Sequence, residues 1–95
     1  MNFSKALEYL KMGERVSRTG WLDIDTFIYM VGGSEVNVEN LRNEAAKHLD
    51  SNNIMNRGKT VNINPHIDMV RSDKAINVGW TPTQADLFAE DWFIR

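Results

Sequence analysis

Phe27-Ile28-Tyr29-Met30-Val31-Gly32-Gly33, followed by Val38-Glu39-Asn40-Leu41-Arg42-Asn43-Glu44-Ala45-Ala46-Lys47-His48-Leu49, decides the fold class. The first run is aromatic and β-branched, which suits a pleated, half-buried strand, and the glycine pair stops it. In the second run Val38, Leu41, Ala45 and Leu49 recur three to four residues apart, so the period changes to that of a helix. Asn37 is placed to cap this helix, and Glu39 suits its positive first turn. The change of period predicts an α+β protein: a small antiparallel sheet with an N-terminal helix, a middle amphipathic helix over 38–49 and a short C-terminal helix.

Toward the N-terminus, Phe3, Ala6, Leu7 and Leu10 also fall at helical spacing. With Ser4 as cap and Gly13 as terminator, they predict a helix over 4–12. Glu14-Arg15-Val16-Ser17-Arg18 alternates too briefly to decide alone. Together with the Phe27 run, it predicts two strands with a turn around Thr19-Gly20. In the other direction, Ser51-Asn52-Asn53 and Asn56-Arg57-Gly58 have the composition of an exposed, mobile loop. Val61, Ile63, His66, Ile67, Met69 and Val70 form a strand region, in which Pro65 belongs at an edge, a bulge or a strand start. Ser72-Asp73-Lys74 predicts a hairpin turn into Ala75-Ile76-Asn77-Val78-Gly79-Trp80. Thr81-Pro82-Thr83-Gln84 then supplies a cap, a proline at the first helical position and a glutamine at the third; Thr83 with Asp86 offers an alternative register. A helix through Ala89 and a last strand at Trp92-Phe93-Ile94 close the chain.

The chain has 95 residues and no cysteine, with 42% hydrophobic and 25% charged residues. These values predict one globular domain over 1–95, held by apolar packing and stabilised further by self-association. No apolar run approaches the roughly 20 residues of a membrane span, and Met1-Asn2-Phe3-Ser4-Lys5 lacks a signal-peptide core, so a cytosolic protein without a membrane partner is expected. The net charge is −2 and no segment is a basic stripe, which argues against nucleic-acid binding. A small anionic ligand needs one or two well-placed arginines and is compatible with this balance.

Reactive constellations are sparse. Without cysteine there is no thiol nucleophile, and no serine sits in a Gly-x-Ser-x-Gly elbow. Neither a phosphate-binding Walker loop nor a dinucleotide glycine turn is present. His66 and Asp68, two residues apart on one face of a strand, are best read as a hydrogen-bonded pair, since two ligands do not make a metal site. Asp86, Glu90 and Asp91 give weak grounds for an acid/base pair, because Asp86 has a capping role and the others look solvated. The expectation is a binding protein rather than an enzyme, with no catalytic residues, metal or cofactor.

Three tryptophans stand beside turn or helix signals: Trp21 after Thr19-Gly20, Trp80 after Gly79, and Trp92 after Glu90-Asp91. Trp92 reads as core. Trp21 and Trp80 lie where strands give way to loops, a common location for binding residues, and an indole there can stack on a base. Beside Trp80 is the capped helix start, whose free N–H groups attract phosphate or ribose oxygens. Arg15 and Arg18 precede Trp21 and can supply charged hydrogen bonds. The set suits a nucleotide-like molecule; the same residues can also serve as surface ion pairs and caps.

Phe3-Ser4-Lys5-Ala6-Leu7-Glu8 with Gly13, Arg18-Thr19-Gly20-Trp21 and Phe27-Ile28 resembles the N-terminal signature of the small phage and bacterial Thoeris anti-defence proteins of the second type. His66-Ile67-Asp68-Met69, Gly79-Trp80 and Thr83-Gln84-Ala85-Asp86-Leu87-Phe88-Ala89-Glu90-Asp91-Trp92 resemble that family's closing motif. The resemblance implies an α+β homotetramer in the host bacterial cytoplasm with pockets at subunit interfaces. It implies a protein that sequesters, without degrading it, a cyclic ADP-ribose isomer made by a TIR-based immune system, with cyclic dinucleotides as further ligands. Carried over by motif, Trp21, Trp80, Thr83 and Asp86 are pocket residues, Arg18 a phosphate partner and Asp68 a ribose partner. Leu22-Asp23-Ile24-Asp25 departs from the Asn-Gly that often follows the first tryptophan in the family, and residues 33–62 match no part of its pattern. Two other readings stand beside this one: a cyclic-nucleotide hydrolase using His66 with Asp68 or Asp86, and a protein-interaction inhibitor docking through residues 37–58.

Overall fold

The computed structural model describes residues 1–49 and 53–95. In chain order these form helix α1 (Phe3–Lys11), strands β1 (Val16–Arg18), β2 (Phe27–Val31) and β3 (Ser34–Asn37), a 3-10 turn Val38–Asn40, helix α2 (Asn43–His48), a 3-10 turn Ile54–Asn56, strands β4 (Thr60–Ile63), β5 (His66–Val70) and β6 (Ile76–Val78), helix α3 (Gln84–Phe88) and strand β7 (Trp92–Ile94). The protein is α+β, with a five-stranded and a two-stranded sheet whose pairs are all antiparallel. Two compact units result, Met1–Val31 with His66–Arg95, and Gly32–Pro65. Among the described residues no helix is long and apolar enough to cross a membrane.

The first unit is built on the sheet order β6-β5-β2-β1-β7. Residues opposite one another in antiparallel strands share a face, so Val16 and Ile28, which pair in register, point to the same side. Ala6 and Leu10 of α1 cover that side and form the core with Val16, Ile28 and Trp92. The helix starts one residue earlier than the sequence predicts because Asn2, not Ser4, caps it: its Oδ1 accepts from the Lys5 N–H at 2.9 Å. This register brings Phe3 against Trp92, with ring centroids 5.3 Å apart. Gly13 ends the helix at φ +93°, a left-handed conformation that glycine adopts without Cβ strain.

Between β1 and β2 the chain makes the expected turn at Thr19-Gly20 and then continues through residues 21–26 before pairing. Ser17 Oγ donates to the Thr26 carbonyl at 2.6 Å and pins the far end of this excursion. The hairpin from β5 into β6 also follows expectation, with the Lys74 N–H donating to the Arg71 carbonyl at 2.9 Å. Pro65 stands immediately before β5, a strand start where its missing donor costs nothing.

In the second unit β3 and β4 pair from Ser34 opposite Ile63 to Asn37 opposite Thr60. The middle helix expected over 38–49 is corrected to two shorter pieces. Leu41 and Arg42 are extended, separating the 3-10 turn from α2. Asn37 makes no side-chain cap bond. Contacts to the segment before β4 hold the 3-10 turn instead: the Val38 N–H donates to the Lys59 carbonyl at 2.9 Å, and Glu39 Oε1 accepts from the Gly58 N–H at 2.7 Å. Val38 and Leu41 are buried from the 3-10 turn, while α2 buries no residue. Of the polar loop expected at 51–58, Ser51 and Asn52 lie outside the described residues; Ile54–Asn56 is a 3-10 turn begun by Asn53, whose Oδ1 accepts from the Met55 N–H.

Candidate ligand-binding site

The C-terminal helix starts in the second of its two possible registers. Thr83 is the cap and Asp86 closes a capping box: Thr83 Oγ1 accepts from the Asp86 N–H at 3.1 Å, and Asp86 Oδ2 accepts from the Thr83 N–H at 2.9 Å. That register turns the other carboxylate oxygen inward. Asp86 Oδ1 accepts from Arg18 Nη1 at 2.7 Å and from Trp21 Nε1 at 3.2 Å. The Asp86 backbone carbonyl accepts from Trp92 Nε1 at 3.0 Å. One buried aspartate thus joins α3 to the end of β1, to the following loop and to β7.

Arg18 carries a second carboxylate. Its Nε donates to Asp91 Oδ1 at 2.8 Å and its Nη2 to Asp91 Oδ2 at 3.5 Å, a fork-on-fork arrangement. Asp91 Oδ2 also accepts from the Gly20 N–H at 2.8 Å. Side-chain exposure is 16% for Arg18 and 7% for Asp86, so this is a largely desolvated pair rather than a rim contact. Burial pushes the Asp86 carboxyl up, but the Thr83 N–H, Arg18 and Trp21 outweigh it and hold the group below the usual carboxylate range. Asp91 is held low as well, chiefly by Arg18. The Arg18 guanidinium is correspondingly raised by Asp91 and Asp86 against a smaller cost of burial.

Behind this ion cluster the three indoles pack edge to face. Trp21 and Trp92 have centroids 5.3 Å apart, Trp21 and Trp80 6.1 Å, and Trp80 and Trp92 6.5 Å, with interplanar angles of 74–80°. Aromatic pairs prefer such tilted contacts because the positive ring edge meets a negative face. Trp92 is core, as its sequence context suggests. Trp21 and Trp80 are half-buried and pack against that core.

Five of the six sequence-derived candidates, Arg18, Trp21, Trp80, Thr83 and Asp86, therefore gather in one cluster. The sixth, Asp68, stands on β5 opposite Val78. Its Oδ1 lies 2.7 Å from His66 Nδ1 and accepts from the Gly79 N–H at 3.2 Å, which links it to the segment leading into Trp80. The His66–Asp68 pair is hydrogen-bonded as expected. Among the described residues no group of three or more His, Cys, Asp or Glu side chains is arranged to hold a metal ion, and no buried side-chain nitrogen or oxygen lacks a partner.

An open cleft of about 330 Å³ adjoins the cluster, lined by Arg18, Thr19, Trp21, Ile24, Phe93 and Arg95. Its walls are one indole, one phenyl ring and an aliphatic side chain, with two guanidinium groups and a hydroxyl. A groove of about 280 Å³ in the second unit has no cationic or aromatic side chain in its lining, which runs through Gly33, Ser34, Glu35 and Pro65. Sequence reasoning missed Ile24, Phe93 and Arg95 as cleft residues and read Asp91 as solvated. The Asp91-Trp92 step of the closing motif was a usable signal for Asp91, whereas nothing local marks Arg95.

Fold and cluster define a class: a small α+β protein in which a saturated arginine–carboxylate and tryptophan core backs an aromatic, guanidinium-lined cleft. Comparison with known proteins then identifies its kin. The Thoeris anti-defense 2-like domain family matches residues 1–95. The chain is also similar to Thoeris anti-defense 2 of Bacillus phage SP01, at 30% identity over 97 residues, covering 99% of this chain and 93% of the phage protein. The chain belongs to the Thoeris anti-defense 2-like family.

Proposed function

We propose that this protein counters a TIR-based bacterial immune system by binding a cyclic ADP-ribose isomer and holding it unreacted, in the host cytoplasm, with cyclic dinucleotides as further ligands. The observation that carries the reading is the cleft of Trp21, Phe93 and Arg95 in a chain that matches an anti-defence family along its whole length. An adenine-bearing diphosphate calls for a π-face and a cation together, and base stacking on an aromatic side chain contributes about 1–3 kcal/mol. The cleft is open, and closing it with a second copy would exclude water from the ligand. Phe93 and Ile94 on β7, and Ile76 and Val78 on β6, are large apolar side chains left exposed on the two edge strands, which supports self-association; the homotetramer is the form the family resemblance implies.

The test is to mix purified protein with a cyclic ADP-ribose isomer, record native mass spectra for ligand and oligomer together, and then heat-denature the sample and recover the small molecule. Intact nucleotide in amounts comparable to the protein is the expected result, and Trp21→Ala is expected to weaken binding at least tenfold. A cleaved product released beyond stoichiometry would replace capture by hydrolysis. The observation favouring that second reading is the His66–Asp68 pair, in which the aspartate orients the imidazole as it would a general base. Turnover abolished by His66→Ala would establish it.

A further inference from the structure

The two arginines that line the cleft differ in what already occupies them. Nε, Nη1 and Nη2 of Arg18 all face carboxylate oxygens of Asp86 or Asp91. A phosphate brought to that guanidinium would meet two carboxylates held ionised by their partners, and like charges at contact distance repel. Arg95 is held more lightly. Its Nη2 donates to Asp25 Oδ1 at 3.0 Å and its Nη1 to the Ile24 carbonyl, both in the loop joining β1 to β2. The rest of the guanidinium fork has no partner among the described residues. The Asp25 side chain is 61% exposed, and an ion pair in such a position contributes little to stability.

The loop itself is arranged unusually. Asp23 turns back onto the body, its Oδ2 accepting from the Ser72 N–H and hydroxyl at 3.0 and 2.8 Å. Asp25 reaches Arg95. The aliphatic residues between and before them point outward: Leu22 is 101% and Ile24 77% exposed, and Ile24 lines the cleft. Asp23 also closes the turn around these residues, its Oδ1 accepting from the Asp25 N–H and its carbonyl from the Thr26 N–H, each at 3.1 Å. Breaking the Arg95 contacts therefore releases the Asp25 carboxylate and the Ile24 carbonyl while the backbone of the turn stays held.

We infer that Arg95 is the anion-contact residue of this cleft and that Asp25 is its intramolecular competitor, displaced when a phosphate-bearing ligand enters. The exchange replaces a solvated carboxylate by a phosphate that accepts two N–H groups of the fork at once. It also breaks the bond between Arg95 and the Ile24 carbonyl, and the exposed Ile24 side chain, already at the cleft wall, packs on the ligand by side-chain rotation alone. The inference deepens the proposed capture of a cyclic ADP-ribose-type molecule and rests on that reading for its natural ligand.

Calorimetric titration with inorganic pyrophosphate, and separately with a cyclic ADP-ribose isomer, tests it on the wild type, Arg95→Gln, Asp25→Asn and the double variant. Asp25→Asn is expected to bind both probes roughly threefold or more tightly, because the competitor is gone while the fold keeps its shape. Arg95→Gln is expected to bind both at least tenfold more weakly, and the double variant to gain nothing from the Asp25 change. Melting curves establish that each variant is folded, and Arg95→Lys replaces Arg95→Gln if the latter is not. Unchanged affinity in Arg95→Gln, unchanged or weaker binding in Asp25→Asn, or no pyrophosphate binding at all overturns the inference. If the cyclic ADP-ribose isomer binds all four proteins alike, the inference fails and the capture reading stands. If pyrophosphate follows the expected pattern and no cyclic ADP-ribose isomer binds, the reverse holds.

Discussion

Asp86 gives its helix a cap and its tertiary fold an anion, and the two roles depend on different oxygens of one carboxylate. Replacing it by alanine removes the acceptor for Trp21 and leaves Arg18 with a single partner in a site that is largely dry. Breaking a buried pair from one side costs about 3–5 kcal/mol when the remaining charge is left alone; because Arg18 keeps Asp91, Asp86→Ala is expected to lower the urea-unfolding free energy by less, about 2–3 kcal/mol, with the lost cap included. The same cluster makes stability depend on pH. Asp86 and Asp91 have folded-state pKa values below their unfolded ones, so the native state binds fewer protons and their contribution is intact above the ordinary carboxylate pKa of about 4. It is lost as pH falls from there through the folded values. Urea midpoints taken from pH 7 to pH 3 should therefore lose this contribution only at the acid end, below about pH 4 to 5, and less steeply in Asp86→Ala. In the sequence Arg18 stands out only as a basic residue before a tryptophan. Its carboxylate partners lie 68 and 73 residues away, a separation that no local pattern encodes.

At the scale of elements, legibility followed the range of the forces involved. The strand Phe27–Val31, the turn at Ser72-Asp73-Lys74, the glycine stop at Gly13 and the closing strand Trp92–Ile94 are specified by their own residues, and they form as read. The C-terminal helix offered two start signals, and in the one used Asp86 both closes the capping box with Thr83 and accepts from the distant Arg18. Thr83→Ala is accordingly expected to cost about 1 kcal/mol, and Thr81→Ala less than half of that, by thermal or urea denaturation. Equal effects would show that the alternative register persists in solution. The middle helix was misread for a related reason. Val38 and Leu41 carry a helical period, but the Val38 N–H and the Glu39 carboxylate are drawn to Lys59 and Gly58 across the β3–β4 pair. Strand β3, Ser34-Glu35-Val36-Asn37, has one apolar residue in four and no strand-like run, so its pairing with β4 is legible only once both strands are placed.

For the whole molecule, the notable fact is that the first unit is made from both ends of the chain and the second from a continuous stretch between them. Val31 and His66, the residues at which the chain leaves and re-enters the first unit, pair in register across β2 and β5. A short turn can therefore bridge them. Replacing residues 33–64 by a two- to four-residue glycine-containing turn is expected to leave a chain that still unfolds cooperatively, with its core around Leu10, Ile28 and Trp92 intact. Loss of a cooperative transition would show that the first unit needs the second to fold. The tryptophans provide the means to follow such a chain by light alone. Three indoles held nearly perpendicular at 5.3–6.5 Å are close enough for their electronic transitions to couple, so the folded protein should carry an exciton signature in circular dichroism that separated tryptophans lack. Because Trp21 belongs both to that trio and to the cleft wall, a molecule stacking on it should alter the same spectrum, making the chain its own unlabelled optical sensor.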